Sequence, residues 1–206
     1  MFEPPYELYR RPRLLNPLHA LGLFKAHSQT NADELACLAR YAAGRSVAVE
    51  VGTYMGVSAA VIAGALAPDG VLYCVDPWEL HHGRENPSWT ICRRELQRSG
   101  NLSRVRFLQG YSHEMEECLP ASVDFMFVDG DHSYEGIERD WAIVLRRLSP
   151  GGIICLHDTT RPSTGEFPDH ESVRFFQEHI RHHTEFEWLE CCRTMNVLRR
   201  RSVERG

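Results

Sequence analysis

The sequence lacks the features that mark membrane, secreted and zinc-ribbon proteins. No apolar run among its 206 residues reaches the ~18 residues that a membrane helix needs. The N-terminus lacks the basic and apolar segments of a secretory signal. The seven cysteines are odd in number and form no C-x-x-C pair, which argues against a disulfide framework or a zinc ribbon. These absences predict a cytoplasmic protein with no membrane partner.

The sequence also has no excess of positive charge. It carries 23 Lys and Arg against 28 Asp and Glu, for a net charge of −5, whereas a nucleic-acid-binding domain usually shows a basic excess or a basic stripe. Arginines cluster only near the two ends, at 10–13 and 199–201. We therefore expect no nucleic-acid partner and interpret these clusters as solvated ends, with an anionic partner for them as the alternative.

Short apolar runs alternate with helical patterns along most of the chain. The runs predict strands at 46–51, 71–75, 104–109, 123–128 and 152–157. Helices are predicted between them, including 55–66 and one from 137 to 148, and two more strands are predicted near the C-terminus. This order predicts an α/β fold with a mostly parallel, doubly wound sheet in a three-layer sandwich. Residues 31–206 would form this domain. Residues 1–30 would form an N-terminal extension that holds a short helix and acts as a lid or a homodimer contact.

The first predicted strand ends in the pattern E-x-G-x-x-x-G, formed by Glu50, Gly52 and Gly56. Glycines allow a sharp turn and a close approach of backbone to a ligand, although the pattern could also serve only to turn the chain. Tyr54 stands where a dinucleotide fingerprint requires glycine. A carboxylate at Glu50 would repel a diphosphate and favour a cationic ligand.

Polar residues follow the second and third predicted strands. Asp76 comes after the second strand, where an acidic residue commonly accepts hydrogen bonds from a ribose diol; the alternative is a loop carboxylate or a helix cap. Tyr111 and Ser112 follow the third strand and could line an adenine slot.

The fourth and fifth predicted strands are each followed by an aspartate, Asp129 and Asp158. Two carboxylates at neighbouring strand ends can converge on one hard cation. His132 lies three residues after Asp129, and a histidine near neutral pKa is suited to take a proton from a hydroxyl. The alternative is that this segment only caps the next helix through Asp131 or Ser133.

Four segments together resemble a known family: VEVGTYMG, VDPW, FMFVDGDHSYEGIERD and LSPGGIICLHDT. They are similar to class I S-adenosylmethionine-dependent methyltransferases, and most to small-molecule O-methyltransferases with a DGDHSYEG segment. The resemblance covers roughly residues 45–160. It implies a Rossmann-like, seven-stranded sheet whose last hairpin adds an antiparallel strand. The N-terminal 30 residues and the loops 77–90 and 159–170 match no segment of the family and would shape the choice of acceptor.

The resemblance also implies roles for individual residues. Glu50, Gly52 and Gly56 would hold the methionine part of the cofactor, Asp76 the ribose, and Ser112 the adenine. The remaining cofactor contacts would be Thr53, Tyr54, Ser58, Tyr111 and Asp129. In metal-dependent relatives, aspartates at the positions of Asp129 and Asp158 bind magnesium, and the residue at the position of His132 is the base. Thr159 stands where catechol-type enzymes carry asparagine, and it is the candidate third ligand.

The function implied is transfer of a methyl group from S-adenosylmethionine to a small-molecule hydroxyl, assisted by magnesium or a similar cation. A regulatory protein of the same fold that binds the cofactor without turnover is the main alternative. A nicotinamide-dependent oxidoreductase is disfavoured by Tyr54. A nucleic-acid methyltransferase is disfavoured by the acidic balance and the missing DPPY-type tetrapeptide.

Overall fold

The computed structural model describes residues 12–79, 86–161 and 171–202. In this part of the chain seven strands form one sheet in the order β3-β2-β1-β4-β5-β7-β6. Strand β7 runs antiparallel to both of its neighbours, while strands β1 to β5 pair in parallel. The strands are β1 Val47–Val51, β2 Val71–Asp76, β3 Val105–Gln109, β4 Val123–Val128, β5 Leu148–Leu156, β6 Phe186–Cys192 and β7 Met195–Arg200. The predicted mostly parallel sheet with a C-terminal antiparallel strand is confirmed.

Helices cover both faces of the sheet. They are α1 Pro12–Ala20, α2 Ala32–Ala42, α3 Val57–Ala65, α4 Pro87–Arg98, α5 Ser112–Met115, α6 Tyr134–Arg147 and α7 Glu171–Phe175, which continues as a π-helix over Phe176–Ile180. Short 3-10 helices span Leu102–Arg104 and Glu116–Cys118. Successive residues of β4 face opposite sides, so Phe125 and Phe127 join one hydrophobic core and Met126 joins the other. The two cores confirm the three-layer sandwich.

Helix α2 begins with a capping box, which also fixes one buried carboxylate. The Asn31 side chain accepts hydrogen bonds from the backbone N–H groups of Asp33 and Glu34, and the Glu34 side chain accepts one from the N–H of Asn31. Asn31 is thus the N-cap of this helix. The box leaves Glu34 pointing inward, where it is 1% exposed.

Three element boundaries differ from the prediction. Helix α3 starts at Val57 rather than 55, because Gly56 has φ +79°, outside the helical region. Helix α4 starts at Pro87, which was assigned to a loop; Asn86 caps it, and proline suits a first helical position. Leu148 was assigned to a helix but begins β5, where it pairs with Val123 ahead of a bulge.

The N-terminal extension contains the expected short helix, α1. Leu15 is buried against Met55 and Ile91, and the His19 ring lies 2.8 Å from the Glu95 carboxylate on α4. This part of the extension is therefore docked on the main domain. Residues 1–11 of the extension, and residues 80–85 and 162–170 of the two expected acceptor loops, lie outside the described residues. No helix in the described part of the chain is long and apolar enough to cross a membrane.

Candidate active site

A cavity of about 570 Å³ lies at the carboxyl ends of strands β1 to β4. This is the edge where open α/β sheets bind ligands. Nine of the ten residues predicted to bind the cofactor line it: Gly52, Thr53, Tyr54, Gly56, Ser58, Asp76, Tyr111, Ser112 and Asp129. The cavity thus gathers residues from four separate strand ends.

The turn after β1 brings two strand ends into direct backbone contact. Gly52 has φ +86°, and its N–H donates to the carbonyl of Val75 at 2.9 Å. A Cβ added at Gly52 would lie 1.9 Å from the carbonyl oxygen of Asp129. The positive φ and the lack of room for a Cβ therefore both require glycine at this position. Packing between the ends of β1 and β4 is enough to explain this glycine, whether or not the turn also binds a ligand.

Asp76 ties this turn to the end of β2. Its Oδ2 accepts a hydrogen bond from the N–H of Tyr54, and its Oδ1 accepts one from the N–H of Trp78, both at 2.8 Å. The indole N–H of Trp78 donates back to the carbonyl of Tyr54 at 2.9 Å. A carboxylate oxygen has two lone pairs, so each oxygen can still accept from a ligand hydroxyl.

Glu50 departs from the expected contact with the ligand. It is 0% exposed and is absent from the described residues that line the cavity. Its Oε2 lies 3.7 Å from the Sγ of Cys74, and no hydrogen bond reaches its Oε1 from the described part of the chain. Burial raises the pKa of Glu50 to about 7, although the Ser58 and Thr53 hydroxyls favour the charged form. Because Glu50 is buried and does not line the cavity, it could affect a ligand only indirectly, through the position of the turn.

The buried carboxylate predicts a pH-dependent gain of stability for Glu50→Gln. A pKa raised from 4.5 to about 7 means that the folded state loses stability as the pH rises from about 4.5 to about 7. The neutral amide removes this cost, which is on the order of 3 kcal/mol at pH 8. Denaturant unfolding should show the variant more stable than the wild type at pH 8, with a much smaller difference at pH 5.

The matched control for that measurement is Glu117→Gln, because the Glu117 side chain is 94% exposed. It should change the unfolding free energy little, and equally, at the two pH values. An equal effect of Glu50→Gln at pH 5 and pH 8 would contradict the raised pKa.

A cluster of acidic residues and histidines lies beside the cavity. The Oδ1 of Asp129 is 3.0 Å from the Nδ1 of His157 and 3.3 Å from the Nε2 of His132. The Oδ2 of Asp158 is 3.9 Å from the Nδ1 of His132, and the Oε2 of Glu34 is 3.3 Å from the Nε2 of His157. The fold therefore brings together Asp129, His132 and Asp158, as the sequence predicted.

Charge interactions shift the pKa values of this cluster. Burial lowers the pKa of His157, but hydrogen bonds to Asp129 and Glu34 outweigh it and raise the pKa to about 10. The pKa of His132 is also raised, because its interactions with Asp129 and Asp158 outweigh the effect of its burial. Burial raises the pKa of Asp129, but the two histidines bring it below its usual value. The carboxylates of the cluster thus favour the charged form of both histidines.

Thr159, which the resemblance implies as a third metal ligand, makes its described hydrogen bonds with the sheet. It is 0% exposed, and its hydroxyl donates to the carbonyl of Leu156 at 2.8 Å and accepts from the Nδ2 of Asn196 at 3.0 Å. Asn196 on β7 therefore holds the Thr159 hydroxyl in the sheet. A magnesium site would have to rely on Asp129 and Asp158 without it.

The sequence prediction missed two members of the cluster, His157 and Glu34. His157 directly follows β5 and precedes Asp158, so its position at a strand end was the available signal. Glu34 is 123 residues from His157 and carries no local signal beyond its capping role.

The cavity also has lining residues that were not predicted. His27, Ser28, Gln29 and Thr30 of the N-terminal extension contribute to the wall. Asp140 on α6 lines it as well; Asp140 is 4% exposed, and the Ser112 hydroxyl donates to it. Burial raises the pKa of Asp140 to about 6, against the effect of the Ser112 hydrogen bond.

The described lining is acidic overall. It holds one arginine, Arg139, and five carboxylates: Asp76, Glu114, Asp129, Asp131 and Asp140. Such a wall repels a diphosphate and attracts a positively charged ligand. The expectation of a cationic rather than an anionic cofactor thus agrees with the charge of the cavity.

Comparison with known proteins is consistent with this geometry. A protein family described as "Methyltransferase domain" matches residues 49–159, which is more than half of the chain and runs from within β1 to just beyond β5. The chain belongs to this family of methyltransferase domains. Membership confirms the coarser part of the resemblance seen in the sequence. The match includes Gly52, Asp76, Asp129 and Asp158.

Curated relatives of this methyltransferase domain are distant. A protein from Mycobacterium sp. (strain JLS), described as a candidate O-methyltransferase, is 33% identical over 127 residues, which are 60% of this chain and 52% of that protein. The chain spans about half, or less, of the length of the curated relatives it matches.

Solved structures share the fold of this methyltransferase domain. The O-methyltransferase TomG from Streptomyces achromogenes, described as involved in tomaymycin synthesis and in complex with SAM, gives a TM-score of 0.66 at 20% identity, covering 93% of this chain and 89% of TomG. An O-methyltransferase from Bacillus cereus in complex with SAH also gives 0.66 at 20% identity, covering 97% and 92%. The seven-stranded methyltransferase fold is therefore established.

Proposed function

We propose that this protein transfers a methyl group from S-adenosylmethionine to a hydroxyl oxygen of a small molecule. The observation that carries the proposal is the acidic cavity at four strand ends, lined by nine of the ten residues predicted for the cofactor. Two proteins of the same fold are described as bound to SAM or SAH, and both are described as O-methyltransferases.

The charge and shape of the cavity suit a sulfonium nucleoside. The lining carboxylates favour a cation, and each oxygen of Asp76 can accept from a ribose hydroxyl besides its backbone donor. Ser112 lies beyond β3, on the side assigned to adenine. We assign the turn from Gly52 to Gly56, with Thr53, Tyr54 and Ser58, to the methionine part.

His132 is positioned to take the acceptor proton. It lies between the carboxylates of Asp129 and Asp158, which stabilise the imidazolium formed when it accepts a proton. Asp129 also lines the cavity, so the proposed base is adjacent to a residue of the proposed cofactor site. Binding both reactants there would align the acceptor oxygen with the methyl group and remove much of the entropic barrier.

The carboxylates of Asp129 and Asp158 can also hold a divalent cation. When bound, the ion would lower the pKa of the acceptor hydroxyl and fix its position. Two carboxylates at adjacent strand ends fit this role, while Thr159, held by Asn196, does not.

Cofactor binding tests the first part of the proposal. Asp76→Asn should weaken S-adenosylmethionine binding by about tenfold or more, because one carboxylate oxygen that accepts a hydrogen bond becomes an amide donor. Calorimetric titration measures it, with Asp69→Asn as the control, since Asp69 is exposed just before β2. Equal affinity in wild type and Asp76→Asn would remove the ribose assignment.

Turnover tests the second part. Labelled S-adenosylmethionine with a panel of phenols, sugars and other hydroxylated molecules should yield a methylated product. Cofactor binding without transfer to any acceptor class would favour the regulatory alternative of the same fold.

A further inference from the structure

We propose that the protein binds the phosphate group of a small molecule in a second cavity, at the edge of the sheet opposite the candidate active site. This cavity has a volume of about 380 Å³. It lies where β4 and β5 begin, where α6 and β7 end, and just before β6. We call it the basic cavity. Its existence as a binding site does not depend on the proposed methyl transfer.

The lining of the basic cavity contrasts in charge with the acidic cavity at the other edge. Among the described residues, four arginines and a single carboxylate line it: Arg146, Arg147, Arg200, Arg201 and Glu185. Four hydroxyl groups also line it, those of Ser122, Ser149, Thr184 and Ser202. Guanidinium and hydroxyl groups are side-chain donors that bind phosphate oxygens. A wall of this composition attracts an anion and can donate several hydrogen bonds to it.

Two of these arginines already have partners and hold the wall in place. Arg200 donates to two backbone carbonyls at the end of α6 and, at 2.7 Å, to Glu185. Arg146 donates to both carboxylate oxygens of Glu116, at 2.7 Å each. The negative end of the α6 dipole is therefore compensated by Arg200, and the lining carboxylate Glu185 is neutralised by the same side chain.

Arg147 is the arginine whose donors lack acceptors. Its side chain is only 18% exposed, yet its Nε is buried without a hydrogen bond from the described part of the chain. Glu116 lies 3.4 Å from this Nε, but it is the carboxylate that Arg146 binds. Glu117 lies 3.6 Å from a terminal nitrogen and is 94% exposed, so solvent screens it. A guanidinium has five N–H donors, and an anion in the basic cavity would supply acceptors for this one.

Arg201 is the second arginine that remains for a ligand. Its neighbour Arg199 pairs with Glu187 at 2.6 Å, whereas the guanidinium of Arg201 makes no hydrogen bond or ion pair with the described residues. The backbone N–H of Arg201 donates to the carbonyl of Glu185 at 2.7 Å, which fixes the residue at the wall of the basic cavity. Arg147 and Arg201 together match the charge of about −2 that a phosphate monoester carries at neutral pH.

The shape and chemistry of the basic cavity favour a small phosphate over other anions. Arginine binds phosphate through two parallel hydrogen bonds, and the hydroxyl groups can donate to the remaining oxygens, whereas a single carboxylate would use fewer of these donors. A nucleic-acid backbone is usually bound by a basic stripe on a basic domain. Here the arginines line a cavity, and the whole chain has a net charge of −5.

Calorimetric titration with inorganic phosphate, in chloride buffer at constant ionic strength, tests the basic cavity. The wild type should bind one phosphate per chain with a Kd below roughly 1 mM. Arg147→Gln and Arg201→Gln should each weaken binding at least ~10-fold, because each removes a charge-assisted donor. The matched control is Arg106→Gln, which removes the same charge from an exposed residue of β3, the strand at one margin of the sheet and far from the basic cavity. It should leave the affinity within about twofold.

An organic phosphate and an RNA separate the possible sources of the anion. Phenyl phosphate should bind at least as tightly as inorganic phosphate, because the cavity of about 380 Å³ also has room for an organic part. A single-stranded RNA oligonucleotide should bind more weakly than either. An RNA that binds more tightly, and loses affinity in Arg147→Gln and Arg201→Gln, would overturn the assignment to a small molecule.

Two further results would overturn the inference: no phosphate binding by the wild type, or a loss in Arg106→Gln as large as that in the other two variants. Circular dichroism of each variant checks folding. If Arg147→Gln does not fold, Arg201→Gln, on an exposed residue, still tests the site. S-adenosylmethionine is titrated in parallel and should bind all three variants with wild-type affinity. Cofactor binding without phosphate binding therefore refutes only this inference, and phosphate binding without cofactor binding refutes only the proposed function.

Discussion

Replacing His132 with glutamine is expected to lower kcat by about 10²- to 10⁴-fold, the usual contribution of a positioned general base. Glutamine keeps a polar side chain of similar reach but cannot accept a proton. The loss should fall on kcat rather than on cofactor affinity, because His132 contacts Asp129 and Asp158 and is absent from the described residues that line the cavity. Initial rates with an acceptor from the hydroxyl panel measure it.

The control for this variant is His182→Gln, which removes an exposed histidine and should leave the rate unchanged. Calorimetry should show S-adenosylmethionine affinities within about twofold of one another for the wild type and both variants, since 0.4 kcal/mol corresponds to about a factor of two. A His132→Gln rate within a few-fold of the wild type would place the base elsewhere.

The sheet and the edge that holds the cavity could be predicted because both depend on local patterns. Apolar runs bounded by turn residues mark buried parallel strands, and the carboxyl ends of those strands must lie on one edge. Asp76 is the last residue of β2 and Asp129 directly follows β4, so their convergence follows from the topology alone. Gly52 and Gly56 were predictable for the same reason, since a turn between a strand and a helix often requires positive φ.

The remainder of the site depends on contacts between distant segments. The capping box turns Glu34 inward, but its contact with His157 also requires that α2 pack near the β6–β7 hairpin, where Thr194 binds the same carboxylate. Thr159 follows Asp158 in the sequence, but its hydroxyl is held by the carbonyl of Leu156 and by Asn196 on β7. Neither contact can be predicted from the hydrophobic periodicity or from the neighbouring residues in the sequence.

Glu50 shows that a position at the end of a strand does not fix where the side chain points. Its place near the end of β1 predicts a contact with the cofactor, whereas in the structure the side chain is buried in the core. There it lies against Cys74 of the neighbouring strand. We infer that the carboxyl group supports the turn from Gly52 to Gly56, and that the charge presented to a ligand comes instead from Asp76, Asp129 and the other lining carboxylates.

The turn itself should be the part of the site least tolerant of change, and Gly52→Ala is expected to have the largest effect on cofactor binding. The added Cβ would lie 1.9 Å from the Asp129 carbonyl oxygen and 2.6 Å from its carbonyl carbon. Because both are backbone atoms, the ends of β1 and β4 must move apart, which displaces the Asp129 carboxylate. We expect S-adenosylmethionine affinity to fall at least 100-fold and stability to fall by about 3 kcal/mol, combining backbone strain and overpacking.

Gly100→Ala separates these two causes. Gly100 has φ +76°, close to the φ of Gly52, but a Cβ there would meet nothing within 4 Å. The control therefore carries the strain of a left-handed alanine, about 1–2 kcal/mol, without the clash and far from the cavity. Unfolding and calorimetry on both variants should show a larger loss of stability in Gly52→Ala, and a loss of affinity in that variant alone. Equal behaviour of the two would mean that the ends of β1 and β4 are not held together by this contact, and that the positions of Asp76 and Asp129 around a shared ligand need another explanation.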